Sequence, residues 1–337
     1  MMMPDIPVDR FVPDPDPVAS WKSWTEHLAP VFEAYPVPET HAGPSVGMRS
    51  YNLGSVLVGE VSAPAQRLER SARMVERQGV DHVLIQLYRS GTSTIRTDRS
   101  ETRINPSDFV LYDLAQPVTI SSSAVAATNI LVPRGLLGAR AGLVDSLHGH
   151  RFSVADDRVT QLFAAYLGDV VASCEDLTAQ QAPGVAQAAA SLCAAALPSP
   201  AGDVATTKRR TSLAIRAFIQ DNLGVPELGP EMICARFGLS RATLYRQFAA
   251  DDGVQSYIRN RRLAQAMRML TDPAADGRPR ISSVAYATGF WDEKTFSRAF
   301  RRRFGYLPRD AAAEQGAGPG QSRTSLLLGE WIQQLGW

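Results

Sequence analysis

The sequence predicts an α+β chain of two domains: a β-barrel or sandwich with flanking helices, then an all-α unit. Three observations carry that reading. Between about residues 50 and 135, short β-branched and aromatic runs recur with turn residues between them, the pattern of a sandwich or small barrel. From about residue 208 the apolar spacing becomes helical, and one helix-turn-helix pattern is followed by a second. The charge divides at the same place. Residues 208–314 hold 19 Lys+Arg against 11 Asp+Glu, and the rest of the chain holds 16 against 23. A basic third behind an acidic remainder is what a nucleic-acid module joined to something else looks like. A solvated basic face would carry the same charge.

The bulk numbers set the limits. A chain of 337 residues has room for two cores, and 45% hydrophobic with 20% charged residues is a globular composition. Cys174, Cys193 and Cys234 are an odd number without CxxC or metal-ligand spacing, so they read as small buried hydrophobes in a reducing compartment. Met1–Asp16 is Pro/Asp-rich without a signal pattern, and no run approaches the roughly 18 apolar residues of a membrane span. The expectation is a cytoplasmic protein with no membrane partner.

In chain order, residues up to about Pro17 read as disordered. Trp21, Trp24, Leu28 and Phe32 share one face of a short helix. Strand-like runs follow at Ser55–Val61, Asp81–Tyr88, Ser93–Thr97 and Glu101–Ile104, the last two flanking a hairpin at Asp98. Asn105-Pro-Ser-Asp is a turn, and Phe109–Tyr112, Val118–Ser121 and Ala127–Val132 complete the set. Barrels of this size often enclose a ligand cavity. Two helices then close a regulatory domain of residues 1–197. In Val154–Glu175, Leu162, Phe163, Tyr166, Leu167, Val170, Val171 and Cys174 form one apolar stripe; Gly184–Leu197 is alanine-rich. This unit, about residues 154–197, is core cover or a dimer interface. Residues 198–207 read as a linker.

Catalysis finds little support. Barrel metalloenzymes need converging His and Glu ligands, but only His82 lies in the strand region; His148 and His150 come later, near a helix start. No phosphate-binding GKS/T loop or GxGxxG occurs. One GxSxG match, Gly43–Gly47, lacks the preceding strand and following helix that a nucleophile elbow requires. The reading is a sensor of small molecules, with no catalytic residue, metal or cofactor.

The helical part, residues 208–315, opens with Leu213–Asn222, where Ile215, Phe218 and Ile219 are apolar. In Glu231–Phe248, Gly238 ends one short helix in a left-handed turn, Ser240 caps the next, and Leu244 and Phe248 face inward. A long helix, Val254–Leu270, carries a core stripe of Leu263, Met267 and Leu270, with Arg259, Arg262 and Arg268 outside it. The second unit starts at Ile281, turns at Thr288-Gly289-Phe290, and runs from Asp292 to Arg302 with Thr295, Phe296, Ala299 and Phe300 inward. Thr243-Leu244-x-Arg246-x-Phe248 lies over Thr295-Phe296-x-Arg298-x-Phe300, an internal repeat more specific than either unit alone. Residues 316–337 are a flexible linker and an amphipathic tail, which docks on the protein itself or on a partner.

The run Arg280-Ile-x-x-Val-Ala-x-x-x-Gly-Phe-x-Asp-x-x-x-Phe-Ser-Arg-Ala-Phe-Arg-Arg-x-Phe-Gly-x-x-Pro resembles the signature of the AraC/XylS family of bacterial transcription regulators. The resemblance covers about Lys208–Ala313. Tyr257 and Arg262-Leu263-Ala264 are similar to the family's linker helix. Arg89–Pro117 more loosely resembles its cupin-like sensory domain, with Pro106-Ser-Asp108 where Pro-Gly-Asp is common. The resemblance implies a cupin-like barrel, sequence-specific binding to promoter DNA, contact with RNA polymerase, usually activation, and a small-molecule effector; a homodimer is expected. On the first reading helix Arg241, Ala242, Tyr245 and Arg246 face the groove, with Arg246 suited to guanine. On the second, Glu293, Lys294, Ser297 and Arg298 do so, while Arg301, Arg302 and Arg303 suit phosphates. Two alternatives stand beside this one. A helix-turn-helix fused to a methyl-transferring repair enzyme would need a reactive cysteine, and a scaffold would bind protein through the tail.

Overall fold

A computed structural model describes residues 6–37, 46–78, 80–198, 211, 214–216, 218–248, 253–271, 279–311 and 323–335. Gly43–Ser45, residues 199–207 of the expected linker and residues 316–320 lie outside these. The strands form two antiparallel sheets. The first has the order β1 (Val8–Phe11), β3 (Gly47–Asn52), β4 (Leu57–Ala63), β11 (Val125–Pro133), β6 (His82–Ser90), β9 (Asp108–Asp113), β12 (Arg151–Ser153). The second runs β2 (Glu33–Pro36), β5 (Gln66–Arg70), β10 (Val118–Ser122), β7 (Ser93–Arg96), β8 (Glu101–Ile104).

The two-residue period sorts the side chains into two cores. Val83, Ile85 and Leu87 of β6, Phe109 and Leu111 of β9, and Ile130 and Val132 of β11 face helices α4 (Arg158–Ser173) and α5 (Ala182–Ala196). The alternate residues Leu84, Tyr88, Val110, Tyr112 and Leu131 meet Ile95, Val118 and Ile120 of the second sheet. Strands buried on both faces read as continuous apolar runs, which is why β6 and β9 stood out in the sequence. Phe163 and Leu167 of α4 are fully buried, so its stripe is core cover except at Leu162, which is 61% exposed.

Several expectations are corrected. The N-terminus is structured from Ile6: β1 pairs with β3, and Ile6 and Phe11 are buried. Two well-spaced apolar residues are enough to seat an edge strand, and the surrounding Pro and Asp hide it in composition. Helix α1 (Pro17–Leu28), capped by Asp16, ends before Phe32. The sheets extend beyond residues 50–135 through β1, β2, β3 and β12, and β5 adds a strand within that range; these strands are short or largely polar, as in the Gln-Arg-Leu-Glu-Arg of β5. Helix α3 (Val144–Leu147) ends just before His148, and His148 and His150 lead into β12, not a helix. Helix α2 (Ala72–Gln78) was not anticipated. At Pro106-Ser-Asp108, Ser107 sits at φ 69°, the left-handed slot that glycine takes more easily.

The tail also finds its place. The C-terminal helix, Arg323–Gln334, packs into the inter-sheet core of the barrel, not onto the helical half that precedes it.

Candidate nucleic-acid interface

Each half of the helical domain has its own core. Ile215, Ile219, Leu223, Leu228, Ile233, Leu244 and Phe248 pack with Val254, Tyr257 and Ile258 from the start of the connecting helix, Val254–Thr271. Leu263, Ala266, Met267 and Leu270 from the rest of that helix pack with Val284, Ala285, Phe290, Phe296, Phe300 and Phe304. One continuous helix of 18 residues therefore belongs to both cores. At 1.5 Å per residue it is roughly 27 Å long.

In the first unit, Pro230–Phe237 ends at Gly238 (φ 63°, ψ 35°), and Ser240 caps Arg241–Gln247 by accepting from the Thr243 backbone N at 3.2 Å. Leu244 and Phe248 are fully buried, which turns Arg241, Ala242, Tyr245 and Arg246 outward. Arg241 reaches back to an exposed ion pair with Glu231. Such a pair is worth at most about 1 kcal/mol, so it leaves the guanidinium available. In the second unit, Asp292 caps Glu293–Phe304 by accepting from Thr295 N at 2.7 Å. Hydrogen bonding to that backbone N–H holds its carboxyl below the usual range. Phe296, Phe300 and Phe304 face inward, their ring centroids 5.6 and 4.5 Å apart. Glu293, Lys294, Arg298, Arg301 and Arg302 are exposed, and Ser297 is half-buried. Thr295 is exposed, not inward, because the i, i+4 phenylalanine stripe leaves it at the edge.

Arg262 joins the two units. It is buried and donates to the carbonyls of Leu223 at 2.9 Å and Val225 at 2.6 Å. Gly289 lies against it at φ 79°. A Cβ there would come within 2.3 Å of Leu223 O and 2.8 Å of the guanidinium. The turn glycine of the second unit thus also lies at a contact between the units.

Sequence reasoning missed Trp291, which is 66% exposed immediately before the cap of the second reading helix, and exposed Tyr286 on the helix before it. A bulky aromatic beside a helix cap, outside the i, i+4 stripe, was the available signal.

A second constellation ties this domain to the barrel. Arg134 pairs with Asp81 (2.8 Å), Asp113 (2.7 Å) and Asp145 (3.2 Å) within the barrel half. From the helical half, Arg261 reaches Asp81 at 2.9 Å, Arg216 reaches Asp145 at 3.2 Å, and the Tyr257 hydroxyl donates to Asp145. Arg216 also lies 4.6 Å from the ring centres of both Phe248 and Tyr257. All of these side chains are buried, so three carboxylates and three guanidiniums meet out of water. Burial opposes the charge of Asp145, but Arg261, Arg134 and Arg216 outweigh it and hold its carboxyl well below the usual range.

The barrel interior holds a cavity of about 100 Å³ between the sheets. His148 accepts from the Asp113 backbone N at 3.0 Å through Nδ1 and bonds Pro117 O at 3.0 Å through Nε2, so both ring nitrogens are engaged. Burial pushes the Cys174 thiol up to about 11 and the Cys193 thiol up to about 12, the reverse of what a nucleophile needs. No described helix is long and apolar enough to cross a membrane.

Comparison with known proteins agrees with this architecture. Residues 233–314 match a helix-turn-helix domain family, and residues 38–198 match an AraC-binding-like domain family. The transcriptional activator NphR of Rhodococcus is 26% identical over 300 residues, 86% of each chain. The activator RhaS of Escherichia coli is 34% identical over 96 residues, 28% of this chain and 33% of its own. The crystal structure of the AraC-like transcriptional activator CuxR superposes with a TM-score of 0.52 at 28% identity, covering 77% of this chain and 94% of the other.

Proposed function

The chain belongs to the AraC family of DNA-binding transcription regulators and is not an enzyme; from that premise we propose that it reads promoter DNA at two adjacent major-groove segments and activates transcription in response to a small molecule. The observation that carries the DNA reading is the single connecting helix shared by two cores, with a polar, largely basic reading face left outward on each side. Arg246 and Arg298 take guanine O6/N7, Tyr245 and Ala242 contact thymine methyls or sugar edges, and Glu293 accepts from cytosine. Arg241, Lys294 and Ser297 complete the reading faces. Arg301 and Arg302 anchor phosphates and give salt-dependent affinity. An effector in the barrel interior shifts the chain between states that differ in DNA engagement. The same reading includes contact with RNA polymerase, a homodimer and action in the cytoplasm, as the sequence resemblance implies.

The test starts by selecting a binding site from random DNA with the unaltered chain. Arg246→Ala and Arg298→Ala should each cost about 1–3 kcal/mol on that site and relax preference at a different position. Unchanged affinity and preference in both variants would contradict the assignment.

A further inference from the structure

The sensor's inter-sheet core contains a segment from the far end of the chain. The C-terminal helix follows both reading units in sequence, yet its Leu328, Trp331, Ile332 and Leu335 are buried among the barrel residues Val31, Phe32, Leu57, Leu84 and Ile120. Gly329 seats closely on the sensor, where a Cβ would lie 3.4 Å from the Pro30 ring. His82 Nε2 and the Ile332 carbonyl are 2.8 Å apart, a hydrogen bond from β6 to the helix backbone.

What remains beside the helix is the cavity of about 100 Å³, with Leu328 and Ile332 in its wall. Sites that enclose a small ligand are usually roughly 300–1,000 Å³, and even a void of about 150 Å³ takes up only benzene or xenon. Among the described residues, the lining holds no Asp, Glu, Lys, Arg or His. Its polar groups are amides and hydroxyls: Gln86 donates to Asn129 at 3.0 Å, Gln66 accepts from Trp24 at 2.9 Å, and Ser50 and Ser122 stand beside them. An ion there would lose its hydration and find no counter-charge.

We propose that the C-terminal helix is an internal stand-in for the effector, and that the effector is an uncharged, largely apolar small molecule that takes the helix's place in the inter-sheet core. This deepens the effector reading of the barrel and rests on it. The Gln86–Asn129 amide pair supplies the polar end of the site. The space filled by Leu328, Trp331 and Ile332 supplies the volume the cavity lacks. Because the helix competes, the apparent affinity for the effector is lowered by the fraction of chains with the helix docked. Displacement frees the segment that follows the second reading unit, so occupancy of the barrel is felt at the DNA-binding end.

Nile red, uncharged and too large for the cavity with the helix in place, is titrated into the full chain, with anilinonaphthalene sulfonate as the anionic comparison. Trp331→Ala and Leu328→Ala, checked for folding by circular dichroism, should bind Nile red about tenfold or more tighter than the unaltered chain, with the anionic dye binding weakly throughout. Ala127→Phe, which fills the cavity from β11, should abolish binding. In Ile332→Cys the new thiol should be protected in the free chain and become reactive when Nile red binds. Equal Nile red affinity with and without the helix substitutions, together with a protected thiol at saturation and lost binding in Ala127→Phe, overturns displacement while leaving the barrel as the effector site. Failure of every folded variant to bind the uncharged dye overturns the effector reading itself.

Discussion

Two of the ties between the helical half and the barrel, among the described residues, are opposite in chemistry. Near the connecting helix the tie is ionic: Arg216, Tyr257 and Arg261 meet Asp81, Asp113, Asp145 and Arg134 in a buried cluster. At the chain's end it is apolar: Leu328, Trp331, Ile332 and Leu335 complete the inter-sheet core. An ionic cluster is directional and unforgiving, because each missing partner leaves a buried charge uncompensated. An apolar seat is non-directional, and a different apolar body can occupy it. The first tie therefore suits fixing a pose, and the second suits exchange.

The largest expected effect comes from breaking the ionic tie. Asp145→Ala leaves Arg134, Arg216 and Arg261 short of a carboxylate and should cost about 3–5 kcal/mol in denaturant unfolding, more than an ordinary surface substitution. A loss below about 1 kcal/mol would mean that water already screens the cluster. Leu328→Ala at the apolar tie should cost about 2–5 kcal/mol, toward the low end because the adjoining cavity lets the site relax. Acid separates the two ties. The Asp145 carboxyl is held below its ordinary 3.8, so its contribution is fully present above that value. It is lost as pH falls through the depressed pKa, when protonation removes the charge that three guanidiniums require. An acid titration followed by small-angle scattering should see the halves loosen at the cluster only below about pH 4, with the apolar seat at Trp331 retained. Release of both together, or release near neutral pH, would erase the distinction.

The contrast also explains what could be read from the sequence. The two reading units were legible because their cores repeat locally: Leu244 and Phe248, then Phe296, Phe300 and Phe304, stand at i, i+4 and end up fully or largely buried. Strands β6 and β9 were legible because both faces are apolar. The ionic cluster was not. Asp81 and Arg261 are 180 positions apart, and no local pattern tells a buried Asp or Arg from a solvated one. Arg261 and Arg262 look alike in sequence, yet one points to the sensor and the other clamps Leu223 and Val225 beside Gly289. The tail's amphipathic face was legible, but its destination was not, since apolar periodicity says that a face is covered and not by what. Trp291 stands in the turn before the helix, outside the i, i+4 stripe, so apolar periodicity does not mark it.

We propose that the two reading helices act as one rigid ruler, held by the connecting helix and by Arg262 against Gly289. The most direct measurement is the affinity of the full chain for a selected site into which about 5 base pairs, half a helical turn, are inserted between the two contacted segments. The insertion should abolish two-segment binding and lower affinity to the level of a one-segment site, and a full-turn insertion should not restore it. Affinity unchanged by the half-turn insertion would contradict the ruler and mean that the two units read DNA independently.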